Sequence, residues 1–327
     1  MPFNPRTDLA LEAKELHFKD TTPNADSDGI TAESETKDFG IRINRVKILN
    51  KKGQEKLSKP QGTYVTIELP DPNIVSQEAY EEACHTCAKE LSALSASLNT
   101  ETTLVLGLGN RNITADALGP KTVDSVLVTR HLLQYMPEEI DSRLRSVCAI
   151  SPGVLGITGV ETAEIVKGVC ERVNPTLVIA IDALCSRHIS RINNTIQIAD
   201  TGITPGAGIG NRRMSIDKDT LGVPVIVIGV PTVVDAATIA GDTIDKIIEE
   251  LKANANGNTP LYNMLTTLAE EDRYPMIKEV LTPDHGDFVV TPKEIDSSVE
   301  NIAKIIANGI NIALHDGISL ADVDRYK

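Results

Sequence analysis

The sequence predicts an α/β protein: a three-layer, largely parallel, doubly wound sheet flanked by helices, with a small additional antiparallel β element from the N-terminal region. Three observations predict it. From Ile74 onward, strand-like and helical patterns alternate, as crossover connections in a parallel sheet require. Most of the strand candidates in that stretch, 103–108, 145–150, 176–181, 194–199 and 224–229, are apolar at consecutive positions, the pattern of strands covered on both faces. Between Phe39 and Leu69, by contrast, shorter β-prone runs are broken by turn formers, which fits an antiparallel element.

Taken in order, residues 1 to about 38 are polar, 19–38 read as a mobile loop, and little core is expected from this region. Ile41, Ile43, Val46 and Ile48, and then the run Tyr64 to Leu69, read as strands joined by the turn-rich Asn50-Lys-Lys-Gly53 and Pro60-Gln-Gly62. A helix is expected from about Ser76 to Leu98, where Tyr80, Cys84, Cys87, Leu91, Leu94 and Leu98 alternate spacings of four and three. Further helices fall near 120–136, 160–173 and 232–252, with Pro120 suited to a first turn and Thr158 or Thr162 to a cap. The last, about 292–314, starts near Pro292 and carries Ile295, Val299, Ile302, Ile306, Ile310 and Leu314 at helical spacing.

A chain of 327 residues with 41% hydrophobic content has enough apolar material for a substantial core. Its net charge of -14 opposes non-specific binding to nucleic acid or anionic membranes, which carry the same sign. No apolar run reaches the roughly 18 to 20 residues that span a bilayer, and Met1-Pro-Phe-Asn-Pro-Arg6 has no signal-peptide core, so a soluble cytoplasmic protein is expected. The five cysteines are dispersed, unlike a disulfide framework. Cys84 and Cys87 spell a CxxC, but their helical spacing puts them in an apolar stripe, and no second CxxC completes a zinc site.

Two acids stand out. Asp182 follows the run Thr176-Leu-Val-Ile-Ala-Ile, and Asp116 follows the run Leu104 to Leu108 after a short loop. In a doubly wound sheet, ligands sit beyond the carboxyl ends of the strands near the point where strand order reverses. If the two strands are neighbours, the acids share one edge. Two close carboxylates do not ionise independently, so one serves as acid and the other as base, which suits hydrolysis of an amide by water. The competing reading is that each Asp caps the following helix.

Other motifs are weaker. Gly107-Leu-Gly109-Asn-Arg-Asn112 resembles a dinucleotide loop but has Asn where the third glycine belongs. The stretch Pro205 to Arg213, with Gly206 and Gly208, suits an active-site rim loop better than an anion cradle. There is no GxSxG elbow and no HExxH. His131 and His188 are candidate neighbours of the site, and Cys185, three residues past Asp182, reads as packing rather than as a nucleophile.

The blocks Gly107-Leu-Gly-Asn110, Asp116-Ala-Leu-Gly-Pro120, Val128-Thr-Arg-His-Leu132, Pro152 to Gly159, Ile179 to Leu184, Thr195-Ile-Gln-Ile198, Gly222 to Ile226, Gly229 to Ala236 and Val290-Thr-Pro-Lys-Glu294 closely resemble the germination protease family of endospore-forming bacteria. The resemblance runs from Arg6 nearly to the C-terminus. It implies an endopeptidase of the forespore or spore core that degrades small acid-soluble spore proteins, with a fold similar to hydrogenase-maturation endopeptidases. It implies that the family's two essential aspartates fall on Asp116 and Asp182, with no cofactor and no metal, and that the enzyme is a homotetramer.

It also implies an inactive precursor that trims itself between Asp8 and Leu9. The division implied is then a pro-segment 1–8, a mobile loop and small β element 9–72, and an α/β catalytic domain 73–327. Asn110, Thr158, Arg187, Gly206 and Gly208 are candidate supports for substrate or site. Departures from the family pattern are Cys185 where alanine is common, the brief pro-segment and a short stretch between about Lys252 and Met276. A metal-assisted alternative keeps Asp116 and Asp182 as ligands, though no third ligand stands at a telling spacing. A non-enzymatic scaffold is the reading from another class.

Overall fold

A computed structural model describes residues 7–18, 28–71, 73–74, 76–136, 138–205, 214–254, 276–277, 279–281 and 288–326. The chain enters through helix α1 (Ala10–His17), strand β1 (Ile30–Thr36), β2 (Arg42–Ile48), α2 (Lys51–Leu57) and β3 (Gly62–Glu68). There follow α3 (Gln77–Ser95), β4 (Thr102–Gly107), α4 (Leu118–Val123), α5 (Arg130–Tyr135), β5 (Ser146–Ile150), α6 (Leu155–Thr158), α7 (Thr162–Val173) and β6 (Leu177–Ser186). Then come β7 (Thr195–Ala199), α8 (Lys218–Leu221), β8 (Val225–Asp235), α9 (Ala236–Asn254), β9 (Val289–Val290), α10 (Ile295–Leu314) and α11 (Leu320–Tyr326).

The strands form one sheet in the order β1-β2-β3-β7-β8-β6-β4-β5, with β9 paired to β8. Strands β5, β4, β6 and β8 are parallel neighbours, and this parallel core is flanked by helices as the sequence predicts. From β8 outward the pairing is antiparallel through β7, β3, β2 and β1, so 194–199 is not one of the parallel strands. The N-terminal antiparallel element is present and joins the core through β3 and β7.

Alternation along the strands sends successive side chains to opposite faces. On one face, Leu177, Ile179 and Ile181 of β6 and Ile226 and Ile228 of β8 pack with Cys84, Cys87 and Leu91 of α3 and with Val299, Ile302, Ile306 and Ile310 of α10. Each such fully buried aliphatic side chain contributes about 1.5–3 kcal/mol. On the other face, Val178 and Ala180 of β6 and Val225 and Val227 of β8 meet Ala163, Val166 and Cys170 of α7. Further along that second face, Val46, Tyr64 and Ala199 meet Ala10 and Ala13 of α1 and Leu57 of α2. The second helical layer is thus in two parts.

Several expectations are corrected. The region before residue 38 does supply core: Leu9 and Ala10 are fully buried, and Ile30 and Ala32 turn inward from β1. Of the loop expected over 19–38, residues 30–36 form this strand, and 19–27 lie outside the described residues. Asn50 to Gly53 is not a plain turn: the Asn50 side chain accepts from the Gly53 N–H and starts α2. The helix expected over 120–136 is two short ones, α4 and α5. Neither Thr158 nor Thr162 caps α7; Thr162 Oγ1 donates instead to the Gly153 carbonyl at 3.2 Å. The helix expected from 232 begins at 236, because β8 continues to Asp235 beside β6.

Cys84 and Cys87 are buried as packing residues, and burial pushes the Cys87 thiol up to about 12. Ser76 caps α3 by accepting from the Ala79 N–H, and Pro120 lies in the first turn of α4. Among the described residues no helix is long and apolar enough to cross a membrane.

Candidate active site

The gap in the second helical layer is a cleft of about 610 Å³ over β6, β8 and β7. Asp116 and Asp182 both line it, together with Asp8, Lys59, Tyr64, Cys185 and Gln197.

Asp182 is not at the end of its strand. The apolar run stops there, but β6 continues to Ser186 alongside β8, whereas β4 on the other side ends at Gly107, opposite Ile181. The carboxylate therefore stands where β6 outruns β4, between two strands whose onward connections diverge, which is the switch point of the sheet. It is 6% exposed, and its Oδ1 accepts the Ala183 N–H at 3.0 Å.

Asp116 reaches the same point through the loop after β4. Gly109 adopts φ 104°, and a Cβ there would lie 2.1 Å from the Asp116 carbonyl oxygen, so the loop closes tightly only with glycine. The Asn110 N–H donates to Asp116 Oδ2 at 2.8 Å, and Thr232 on β8 donates to the Ala115 carbonyl at 2.6 Å. Gly107-Leu-Gly109-Asn110 thus holds Asp116 in place. Gly119 lets α4 press on both strands: a Cβ there would lie 2.3 Å from the Leu108 carbonyl oxygen and 2.6 Å from that of Ile181.

The segment around Asp8 is seated in the cleft by its backbone. The Asp8 N–H donates to the Cys185 carbonyl at 2.9 Å, and the Cys185 N–H donates to Asp8 Oδ2 at 2.8 Å. The Asp8 carbonyl oxygen accepts from Lys59 Nζ at 3.1 Å and from Gln197 Nε2 at 3.3 Å. On the other side of Leu9, the Ala10 N–H donates to Gln197 Oε1 at 2.7 Å. Gln197 therefore spans Leu9 with its two amide ends, one on the Asp8 carbonyl and one on the Ala10 N–H. Lys59 also donates to the Thr7 carbonyl at 3.1 Å. Lys59 is half-buried, and its ammonium sits against the Thr7 and Asp8 carbonyls. Burial lowers its pKa, against the pull of Asp8 and Glu12.

A family model described as germination protease matches residues 10–262 and 253–327. The germination protease of Clostridium tetani is 48% identical over 321 residues, covering 98% of this chain and 98% of its own. That of Bacillus subtilis is 41% identical over 355 residues, covering 98% and 96%. The chain belongs to the germination protease family. A solved structure of a NiFe hydrogenase maturation protease, HycI, from Thermococcus kodakarensis overlaps 68% of this chain and 98% of its own at a TM-score of 0.33 and 17% identity. As a germination protease, the chain is a peptidase, and the cleft is its candidate active site.

The other residues singled out in the sequence divide. Asn110 supports Asp116 through its backbone, as described. Arg187 does not line the cleft; its guanidinium pairs with Asp242 at 3.4 Å and its N–H donates to Glu12 at 2.7 Å. Thr158 is exposed on α6 and away from the lining, as are His131 and His188. Gly206 and Gly208 lie outside the described residues, as does nearly all of 252–276, although Thr204 and Ser215, flanking the glycine-rich stretch, line the cleft. Cys185 is 2% exposed and acts through its backbone.

Lys59, Gln197 and Glu12 escape a reading of the sequence. Lys59 carries no motif, and its position depends on Ser58, whose φ of 52° ends α2, and on Pro60, which holds the preceding residue extended. The Tyr64 hydroxyl fixes that turn by donating to the Pro60 carbonyl at 2.8 Å.

Proposed function

We propose that this germination protease is an endopeptidase made as a precursor, that it removes Met1 to Asp8 by cutting its own Asp8–Leu9 bond, and that Asp116 and Asp182 together activate the attacking water. After processing, the vacated cleft receives small acid-soluble spore proteins in the spore core during germination. The observation that carries this reading is that the Asp8–Leu9 peptide lies in the cleft lined by both aspartates.

In the proposed step, one carboxylate takes a proton from water as its oxygen bonds to the Asp8 carbonyl carbon. The other carboxyl gives its proton to the Leu9 nitrogen as the C–N bond breaks. Each group ends in the protonation state the other began with. Homotetrameric assembly belongs to the same reading. Intact-mass analysis of the full chain at mildly acidic pH tests it. Loss of residues 1–8 is expected in wild type, with no loss in folded D116N or D182N. A cut at another bond, or wild-type cutting by either variant, overturns it.

A further inference from the structure

We infer that Lys59 and Gln197 are the electrophilic pair of this site, the donors that stabilise the negative charge developing on the scissile carbonyl oxygen. The inference rests on the proposed cut at Asp8–Leu9 and adds residues that touch the reacting atoms.

Three observations support it. First, both donors converge on one oxygen, that of Asp8, at 3.1 and 3.3 Å. Second, the register of the sheet puts Asp182, Gly229 and Gln197 in one row across β6, β8 and β7, since Gly229 is opposite both polar residues. Two strand spacings separate the ends of that row by about 10 Å. Gly229 brings no side chain of its own to the middle of the row, and Leu184 of β6 packs over it, so this part of the cleft has an acid on one side of Leu184 and the amide that donates to Asp8 on the other. Third, Lys59 lines the cleft and its Nζ donates to both the Thr7 and Asp8 carbonyls at 3.1 Å, so the donor is fixed at the scissile oxygen before charge develops there.

Attack by water turns the Asp8 carbonyl into an oxyanion, and collapse of the tetrahedral species restores a C=O bond as Leu9 departs. The donors take no proton. They lower the barrier by being in place before charge appears.

The test uses the full-length chain and two readouts, the rate of cutting at Asp8–Leu9 and the hydrogen-exchange protection of the amides from Leu9 to Ala13. In K59M the rate should fall about 10²- to 10³-fold, the usual effect of losing one oxyanion donor. Protection of the seated segment should change little. K59R, which keeps a charged donor, should recover a measurable part of the rate. Q197E retains an oxygen to accept the Ala10 N–H but replaces the donor facing Asp8, so it too should keep the seat and lose rate; it carries the test alone if K59M fails to fold.

A purely structural role would lower protection and rate together and would overturn the inference. If wild type cuts at Asp8–Leu9, needs both aspartates, and K59M and Q197E cut at the wild-type rate, this inference alone falls. If wild type cuts elsewhere, the reading of the site falls with it.

Discussion

Gly229 occupies the middle of the row between Asp182 and Gln197, and the Leu184 side chain already leans over it. A Cβ at this position would lie 2.4 Å from Leu184 Cδ1 and 2.6 Å from its Cγ. In G229A, therefore, Leu184 must shift, and because it lines the cleft the shift alters the surface between Asp182 and Gln197. The substitution should cost about 1–3 kcal/mol, as overpacking does, and should also slow cutting at Asp8–Leu9. Comparison of the urea midpoint and the cleavage rate with those of wild type checks both effects; an unchanged rate would mean that the row has no part in cutting. Asp182 is legible in the sequence, because an acid ending an apolar run is anomalous at short range, whereas Asp116, past a loop, is reached by the expectation that its strand neighbours that of Asp182. Gln197 is not, since a glutamine in an alternating strand looks like any solvent-facing position until register sets it opposite a glycine.

Helix α1 is docked by charge as well as by the apolar contacts of Ala10 and Ala13. Glu12, 1% exposed, accepts the N–H groups of Arg187 at 2.7 Å and His188 at 3.1 Å and pairs with Arg191 at 3.3 Å. Arg191 also reaches Glu15 at 2.6 Å and Glu68 at 3.2 Å. Burial opposes its charge, yet the three glutamates outweigh burial and raise its pKa. Removing one member of a buried pair strands the other, at a cost of about 3–5 kcal/mol. R191M should therefore release α1: amides of Ala10–His17 lose exchange protection and cutting slows because the segment leaves the cleft. Full protection in R191M would assign the docking of α1 to its apolar contacts. The sequence conceals this element for a physical reason. Eight residues are too few to form a stable helix alone, and its stability comes from partners more than 170 positions away. Strand β1 is hidden similarly: only Ile30 and Ala32 face inward, and the remainder of ITAESET is polar, as an edge strand tends to be.

At the scale of the molecule, the candidate site draws its groups from both halves of the sheet. Asp116 and Asp182 come from the parallel core, Gln197 from β7, and Lys59 from the turn before β3. The alternation of strands and helices in the sequence reveals the parallel core because crossover units are local in the chain. The join between β3 and β7 is invisible there, since it pairs Tyr64 to Glu68 with Thr195 to Ala199 across most of the fold. That join makes the first β element part of the same backbone ladder as the strands beneath the candidate site, with Val65, Ile67, Ile196 and Ile198 in one core with Ile179 and Ile226. A shared core and a continuous ladder couple the stability of the two halves. In D116N, expected on the proposed function to keep the chain uncut, hydrogen exchange across a urea series should show β2 and β3 losing protection at the same concentration as β4 and β6. Earlier loss in β2 and β3 would mark residues 9–72 as a separately unfolding unit. In that event Lys59 would be delivered to the cleft by docking rather than by a common fold, and the cutting rate would fall in urea before the parallel core opens.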